Sequence, residues 1–266
     1  MTAMMTLDQV KAIAPSVFAS APASSVSKRF TYIPTAEVLT SLIKQGWGVR
    51  TASQSKCREP GGVPFVKHVL RLRHGDAPKI KDECFLEAVL MNAHNGTSSY
   101  RLNAGIYRMW CENGAICADG TIEEVVIKHT GEVIAEVTAS LTALLTNGQK
   151  AISVVRKWKS ITLTEKQELA FATAAHTLRF KDPADAPVKA LDLLGRRRPQ
   201  DKARDLWTVF NVVQENSIKG GLKGQITDKR NRIVAATTRP IKAVGKDVRL
   251  NRALWELGEI TAKRAA

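Results

Sequence analysis

Three groups of residues in this chain have the types and spacing to grip phosphate. The first lies in residues 92–118, NAHNGTSSYRLNAGIYRMWCENGAICA, where Arg101 and Arg108 stand among Tyr100, Tyr107 and Trp110. A guanidinium can hold a phosphate through two parallel hydrogen bonds, and an aromatic ring can stack on a base. The second is FVKHVLRLR, residues 65–73. Its period of two sends Lys67, Arg71 and Arg73 one way with Phe65 and Val69, and His68, Leu70 and Leu72 the other with Val66. Arg50, Lys56 and Arg58 on the preceding strand and turn would extend that basic face. The third is the run Arg196-Arg197-Arg198. Each group also has a plainer reading as a solvated face, and Arg101 and Arg108 could instead pair with Glu87 or Glu112.

Covalent chemistry is harder to place. The chain has no P-loop, G-x-G-x-x-G, G-x-S-x-G or H-E-x-x-H pattern. Asp82, Glu83 and Glu87, and the pair Glu123-Glu124, are close in sequence but match no magnesium-binding nuclease motif, and read as surface charge. His68, His74 and His94 could act as bases, yet no convincing nucleophile stands near them. His176 sits among apolar neighbours and reads as a packed side chain. Cys57, Cys84, Cys111 and Cys117 contain no C-x-x-C, and Cys111 and Cys117 with His94 fit no standard zinc spacing. The expectation is a binding protein, with no catalytic residue, metal or cofactor.

The balance of 40 Lys and Arg against 25 Asp and Glu gives +15 over 266 residues. Such an excess points to a polyanion, nucleic acid ahead of an anionic membrane surface. No apolar run approaches a membrane span, and no signal peptide is evident, so a cytoplasmic protein with reduced thiols is expected.

The elements that would carry these residues can be read in order. Residues 1–28 suggest an arm, with a helix over 6–20 interrupted at Pro15. A core over 29–160 follows: a short strand FTYI at 30–33, a helix opening at Thr35 and closing at Gly46, and strands at 47–54, 65–73 and 85–91. The strands at 47–54, 65–73 and 85–91 should be antiparallel neighbours. Thr97, Ser98 and Ser99 can cap a helix running to Cys111 or Glu112, on which Arg101 and Arg108 would share a face turned from the sheet. A hairpin around Asp119-Gly120 would join residues 115–117 and 121–129. From Glu132 the pattern turns helical, and 161–266 reads as a helical region. It contains a capping box at Thr164 and Gln167, a helix over 201–216, a flexible basic loop over 217–246 and a closing helix over 251–263. The fold class is α+β, an antiparallel sheet packed with helices, plus a helical C-terminal half.

Several long stretches resemble a family carried by prophages and plasmids and labelled a domain of unknown function. They are YIPTAEVLTSLIKQGWGVRTASQSKCRE, FVKHVLRLR, NAHNGTSSYRLNAGIYRMWCENG and RRRPQDKARDLWTVFNVVQENSIKGGLKG, and the likeness spans roughly residues 28–260. The order of elements in residues 35–112 is in turn similar to the core of the single-strand annealing recombinases, the Rad-fifty-two, Erf and Red-beta group. Gln45-Gly46-Trp47, the basic hairpin of 47–73 and the Arg101/Arg108 helix stand where that group has a helix end, a hairpin and a Lys/Arg helix. Tyr107-Arg108 replaces the adjacent Lys-Arg of that group. This likeness implies single-stranded DNA as partner, annealing of complementary strands without ATP, and a homo-oligomeric ring or filament. Phosphate contacts would come from Arg50, Lys56, Arg58, Lys67, Arg71, Arg73, Arg101, Arg108 and Arg196 to Arg198, with Tyr107 stacking and Trp47 in the core. The alternatives are a protein-binding module that inhibits a host defence complex, and a metal-dependent nuclease.

Overall fold

The structure, a computed structural model, describes residues 4–77, 79–80, 84–108, 114–116, 125–127, 133–182, 185–228, 230–242 and 244–265. The chain divides into two compact units, Met1–Tyr107 with Asp119–Ala151, and Arg108–Ala118 with Ile152–Ala266.

In the first unit, α1 (Leu7–Ile13) is closed at its start by a Thr6/Gln9 capping box, and a 3-10 turn follows at Pro15–Phe18. Proline sets the backbone for that turn but cannot continue the α-helix, so the break at Pro15 falls where expected. Residues 1–28, expected as an arm, bring Val10, Ala14 and Val17 into the core, and Met5 bridges to Val49. Residues 30–33 are not a strand but an extended connection, in which Ile33 is buried and Tyr32 donates to the Ala19 carbonyl. Helix α2 (Thr35–Lys44) buries Val38, Leu39 and Leu42, a spacing of one and three residues that keeps one face apolar.

The sheet then assembles from β1 (Trp47–Gln54), β2 (His68–His74), β3 (Lys79–Ile80), β4 (Cys84–Asn92) and β5 (Tyr100–Arg108). Its order is β1-β2-β4-β5, with β3 on β4. The β1/β2 and β2/β4 pairs are antiparallel, as the alternation predicted. Every residue of β4 is buried, so β4 is the centre of the layer. The face bearing His68, Leu70 and Leu72 carries α2, because His68 and Asn92 both reach the Thr35 hydroxyl.

The helix expected over residues 98–111 is a strand instead. The sequence YRLNAGIYR pairs with β4, and its first residues also pair with β7 (Val125–Ile127). Tyr100, Leu102 and Ile106 are buried at even spacing, which suits a pleated strand as readily as a helix. The side chains of Thr97, Ser98 and Ser99 cap no helix; Asn95 instead accepts from the Thr97 amide in a local turn. The helical face expected to carry Arg101 and Arg108 is therefore replaced by a strand, and the Arg108 side chain lies outside the described residues. Among the described residues β7 pairs with β5, and most of the hairpin expected between β6 (Gly114–Ile116) and residues 121–129, including its turn at Asp119-Gly120, lies outside them.

The second unit is mainly helical. It takes the end of α3 (Val133–Ser160), which runs through Asn147-Gly148 without a break, and adds α4 (Glu165–Arg179), α5 (Leu206–Lys219) and α6 (Val244–Ala265). Thr164 and Gln167 form the expected capping box, and Asp205 caps α5. Trp158, Phe210 and Trp255 meet with ring centroids 4.6–6.0 Å apart, and Trp207 stacks on Phe210 at 5.7 Å. Gly258 is required there, since a Cβ would sit 2.3 Å from the Trp158 ring. The basic loop expected over 217–246 contains an ordered two-stranded ribbon, β8 (Lys223–Thr227) against β9 (Ile233–Thr237). Among the described residues, no helix is long and apolar enough to cross a membrane.

Beneath the sheet, His68 is wholly buried between Ser16 Oγ and Thr35 Oγ1, each 3.1 Å from a ring nitrogen. Burial, reinforced by the nearby His94 ring, pushes its pKa down to about 3 against a backbone contact from Val66. The unfolded chain protonates this ring near 6.5, so stability is complete above that pH and falls as pH drops towards 3. Urea unfolding should therefore weaken by up to about 1.4 kcal/mol per pH unit below about 6.5. A His68→Gln variant should be less stable at neutral pH and show a flatter acid profile. Parallel profiles for the two proteins would contradict this assignment.

Candidate nucleic-acid interface

The basic hairpin is shaped by a single extra residue. Val49 pairs with Leu72 and Thr51 with Arg71, which leaves Arg50 as a β-bulge in β1. A bulge re-aims the side chain it carries. Arg50 thereby points its Nε towards Glu87 of β4, 3.8 Å from Oε1. Alternation along β2 sends Arg71 and Arg73 to the same place. Arg71 reaches Oε2 with both Nε and Nη2 at 2.8 Å. Arg73 donates from Nε to Oε1 at 2.8 Å, and its Nη2 donates to the same oxygen.

Glu87 has no exposed side-chain surface, and the three arginine side chains keep only 8, 13 and 14% of theirs. An isolated carboxylate in such a strand would be very costly, and pairing is what makes it tolerable. The Arg73 guanidinium also lies 3.8 Å over the Phe85 ring. Burial lowers its pKa, opposed by the Glu87 charge. Glu87, read from sequence as surface charge, is thus the centre of the cluster. The signal available in the sequence was a lone glutamate inside the apolar strand FLEAVLM, across from a strand of arginines.

The other expected contacts are distributed differently. Lys56 and Arg58 are exposed in the β1–β2 connection, and Lys67 is half-buried at the foot of β2. The Ser55 amide donates to the Lys67 carbonyl at 2.8 Å, so Lys56 and Lys67 belong to one end of the hairpin. Trp47 is core, edge-on to His74 at 5.3 Å. Arg101 is half-buried in β5 opposite Val126. The side chains of Tyr107 and Arg108, with Cys111, Glu112 and Cys117, lie outside the described residues.

Arg196, Arg197 and Arg198 are built into the second unit. Arg196 Nη2 is 3.4 Å from Glu168, which Arg204 also contacts at 3.0 Å. Arg197 bonds Asn216 and the Gly220 carbonyl, both at 2.7 Å. Arg198 grips Glu215 at 2.7 and 2.5 Å and Asp201 at 3.2 Å. Glu215 is almost fully buried on α5. Burial alone would raise its carboxyl pKa, but hydrogen bonds from Arg198 and Lys219 outweigh that and hold it low. His176 is packed as expected, with Nε2 2.8 Å from the Val188 carbonyl.

The family described as "Domain of unknown function (DUF932)" matches residues 22–255. The chain belongs to that family. It is 36% identical to the UPF0380 proteins YafZ and YfjQ of Escherichia coli (strain K12), over 255 and 256 residues. Each alignment covers 96% of this chain and 90% of the relative. No solved structure matches. Within this DUF932 chain the matched span contains both the Glu87 cluster and the arginines that hold α5.

Two variants test the geometry. Glu87→Ala should cost about 3–5 kcal/mol in urea unfolding, because it gathers guanidinium groups with no central carboxylate. A loss below about 1 kcal/mol would mean the cluster contributes little to folding. Arg198→Ala should also lower stability, leaving Glu215 and Asp201 short of a partner, while nucleic-acid affinity per folded molecule stays unchanged.

Proposed function

We propose that the protein binds single-stranded DNA along the β1–β2 hairpin and promotes annealing of complementary strands without ATP, as a homo-oligomer serving recombination of mobile DNA. The observation that supports this is the gathering of Arg50, Lys56, Arg58, Lys67, Arg71 and Arg73 on one antiparallel hairpin. Three of these are ordered by the sheet, Arg50 by its bulge and Arg71 and Arg73 by alternation, while Lys67 stands just before β2 with its carbonyl accepting from the Ser55 amide. Lys56 and Arg58 supply an exposed rim. Glu87 takes the Nε hydrogen and one Nη2 hydrogen of Arg73, so further contacts of that side chain would use the Nη1 hydrogens and the second Nη2 hydrogen.

Holding the sugar-phosphate backbone while leaving base edges accessible is the physical requirement for annealing, and no covalent bond changes. The reading rests on the charge of this hairpin and not on fold likeness, since residues 100–108 are a strand where the annealing recombinases would have a helix. A track longer than one subunit would come from symmetric assembly.

Mixing labelled complementary oligonucleotides with the protein, without ATP and with or without magnesium, tests the activity. Faster pairing that weakens steeply with salt is expected. Replacing Lys56, Arg58 and Lys67 together by alanine should lower the single-strand salt slope by about two units, since each phosphate contact contributes about 0.7. Stability should move by about 0.5 kcal/mol or less at exposed positions. Absence of binding, or magnesium-dependent cutting, would defeat the proposal.

A further inference from the structure

The second unit carries its own concentration of charge. Residues 219–249 hold nine Lys or Arg and two Asp, a net +7 of the chain's +15. The β8–β9 ribbon lies within this stretch. Its register pairs Lys223 with Thr237, Gln225 with Ala235 and Thr227 with Ile233, and all six of these residues are exposed. One whole face of the ribbon therefore meets solvent, and it is lined by short or slender side chains.

Among the described residues, hydrogen bonds tie both ends of the ribbon. At the tip, Asp228 accepts from the Arg230 and Arg232 amides and from the Arg232 guanidinium at 2.8–3.0 Å, and Asn231 takes a left-handed φ of 58°. Asp228 is thereby occupied with Arg232, while Arg230 is exposed beside it. At the base, Gly220 packs so closely that a Cβ would lie 2.5 Å from the Thr238 carbonyl. Arg179 fastens the Ser217 and Arg239 carbonyls at 2.7 and 2.8 Å. The outer edge of β8 is taken by the Pro187 carbonyl, which accepts from Gln225 at 2.8 Å. The groove along that edge is lined by Asp185 and Asp192 as well as by Lys189 and Lys223, so its charges balance and it offers phosphate no net attraction. The approach that remains is over the exposed face, from β9 and the tip.

We propose that this ribbon is a duplex-binding element that seats in the major groove of double-stranded DNA, with Lys223, Arg230 and Arg239 on the flanking phosphates. Two strands lie about 4.8 Å apart, and five residues extend about 17 Å. That cross-section enters a major groove about 12 Å wide. Ile233, 73% exposed on the open face, suits a thymine methyl. Duplex RNA is excluded as the ligand because its major groove is too narrow and deep for such a ribbon. The proposal goes beyond the single-strand reading of the first unit and stands without it.

The test uses the full chain with a mixed-sequence DNA duplex, the same sequence as duplex RNA, and the separate DNA strands. The protein should bind the DNA duplex and shield guanine N7, which lies in the major groove, from methylation; this measurement needs no variant. Replacing Lys223, Arg230 and Arg239 together by alanine should weaken duplex binding about tenfold or more and lower its salt slope by about three units. Affinity for single strands should change less than about twofold, and the melting temperature should be preserved because the three side chains are exposed. Lack of duplex binding, unprotected N7, equal affinity for duplex RNA, or equal loss on duplex and single strands would each overturn the proposal. The Lys56/Arg58/Lys67 variant, read on single strands, reports separately on the hairpin.

Discussion

Glu87 cannot keep its charge in β4 unless cations come to it. The strand around it has no exposed residue, and water is not there to solvate the carboxylate. The sheet answers from two other strands. Alternation on β2 delivers Arg71 and Arg73, and the bulge in β1 turns Arg50 to the same point. The pairing also constrains register. A slip of β2 by one residue would carry both arginines to the α2 face and leave Glu87 alone, a far larger penalty than exposing a leucine. The ion cluster thus makes one strand alignment much better than its neighbours, and the same alignment gathers Arg50, Arg71 and Arg73 on the sheet face opposite α2.

The second unit follows the same rule with different partners. Helix α5 is buried on all sides from Leu206 to Ser217, although it contains Asn211, Gln214, Glu215, Asn216 and Ser217. A helix that carries so many polar groups into a core needs them satisfied. Arg198 answers Glu215, Arg197 answers Asn216, and Asn251 of α6 accepts from Gln214. The aromatic rings of Trp158, Trp207, Phe210 and Trp255 supply the apolar share of the same core. Specific polar geometry and ring packing together hold the loop of residues 195–201 on the helix, which no interaction with solvent would do.

Much of this was legible in sequence where one periodicity dominated. The alternation of FVKHVLRLR identified β2, its neighbours and the faces of Leu70 and Arg71, although the strand starts at His68 and Phe65 instead closes a 3-10 turn over Pro60–Phe65. The Thr164/Gln167 box located α4, and Pro15 located the break after α1. Residues 100–108 misled because YRLNAGIYR satisfies both periods: even spacing buries Tyr100, Leu102 and Ile106 on a strand, while Leu102, Ile106 and Met109 also fit a helical stripe. Only a neighbouring strand decides between them, and pairing is a long-range fact. The ribbon of 223–237 was missed for a related reason, since a solvated two-stranded element has little apolar alternation to detect. For the site, sequence found the basic hairpin residues but not their common centre. A lone buried glutamate was read by its usual surface behaviour rather than by the apolar strand that contains it. Likewise Arg196 to Arg198 looked like a surface patch because Glu168, Asn216 and Glu215, which accept from them, lie 17 to 28 residues away in sequence, and Asp201 alone is close by.

The way charges are used changes what the net charge means. A formal +15 counts every arginine alike, yet the side chains on Glu87, Glu168 and Glu215 are built into partly or fully buried pairs. Salt screens exposed charges over about 10 Å at 0.1 M but reaches buried pairs much less. Counterions condensed on a nucleic acid are released by side chains that actually approach phosphate, so the salt slope counts those contacts and not total charge. Lys56, Arg58, Lys223 and Arg230 are exposed and available for that count. Arg197 and Arg198 are bound to α5 and would have to leave buried acceptors first. A basic run in sequence therefore carries opposite meanings in the two settings. Where acidic and amide groups are buried within reach, it builds the fold; where the ribbon or hairpin rim projects into solvent, it remains free to meet a polyanion.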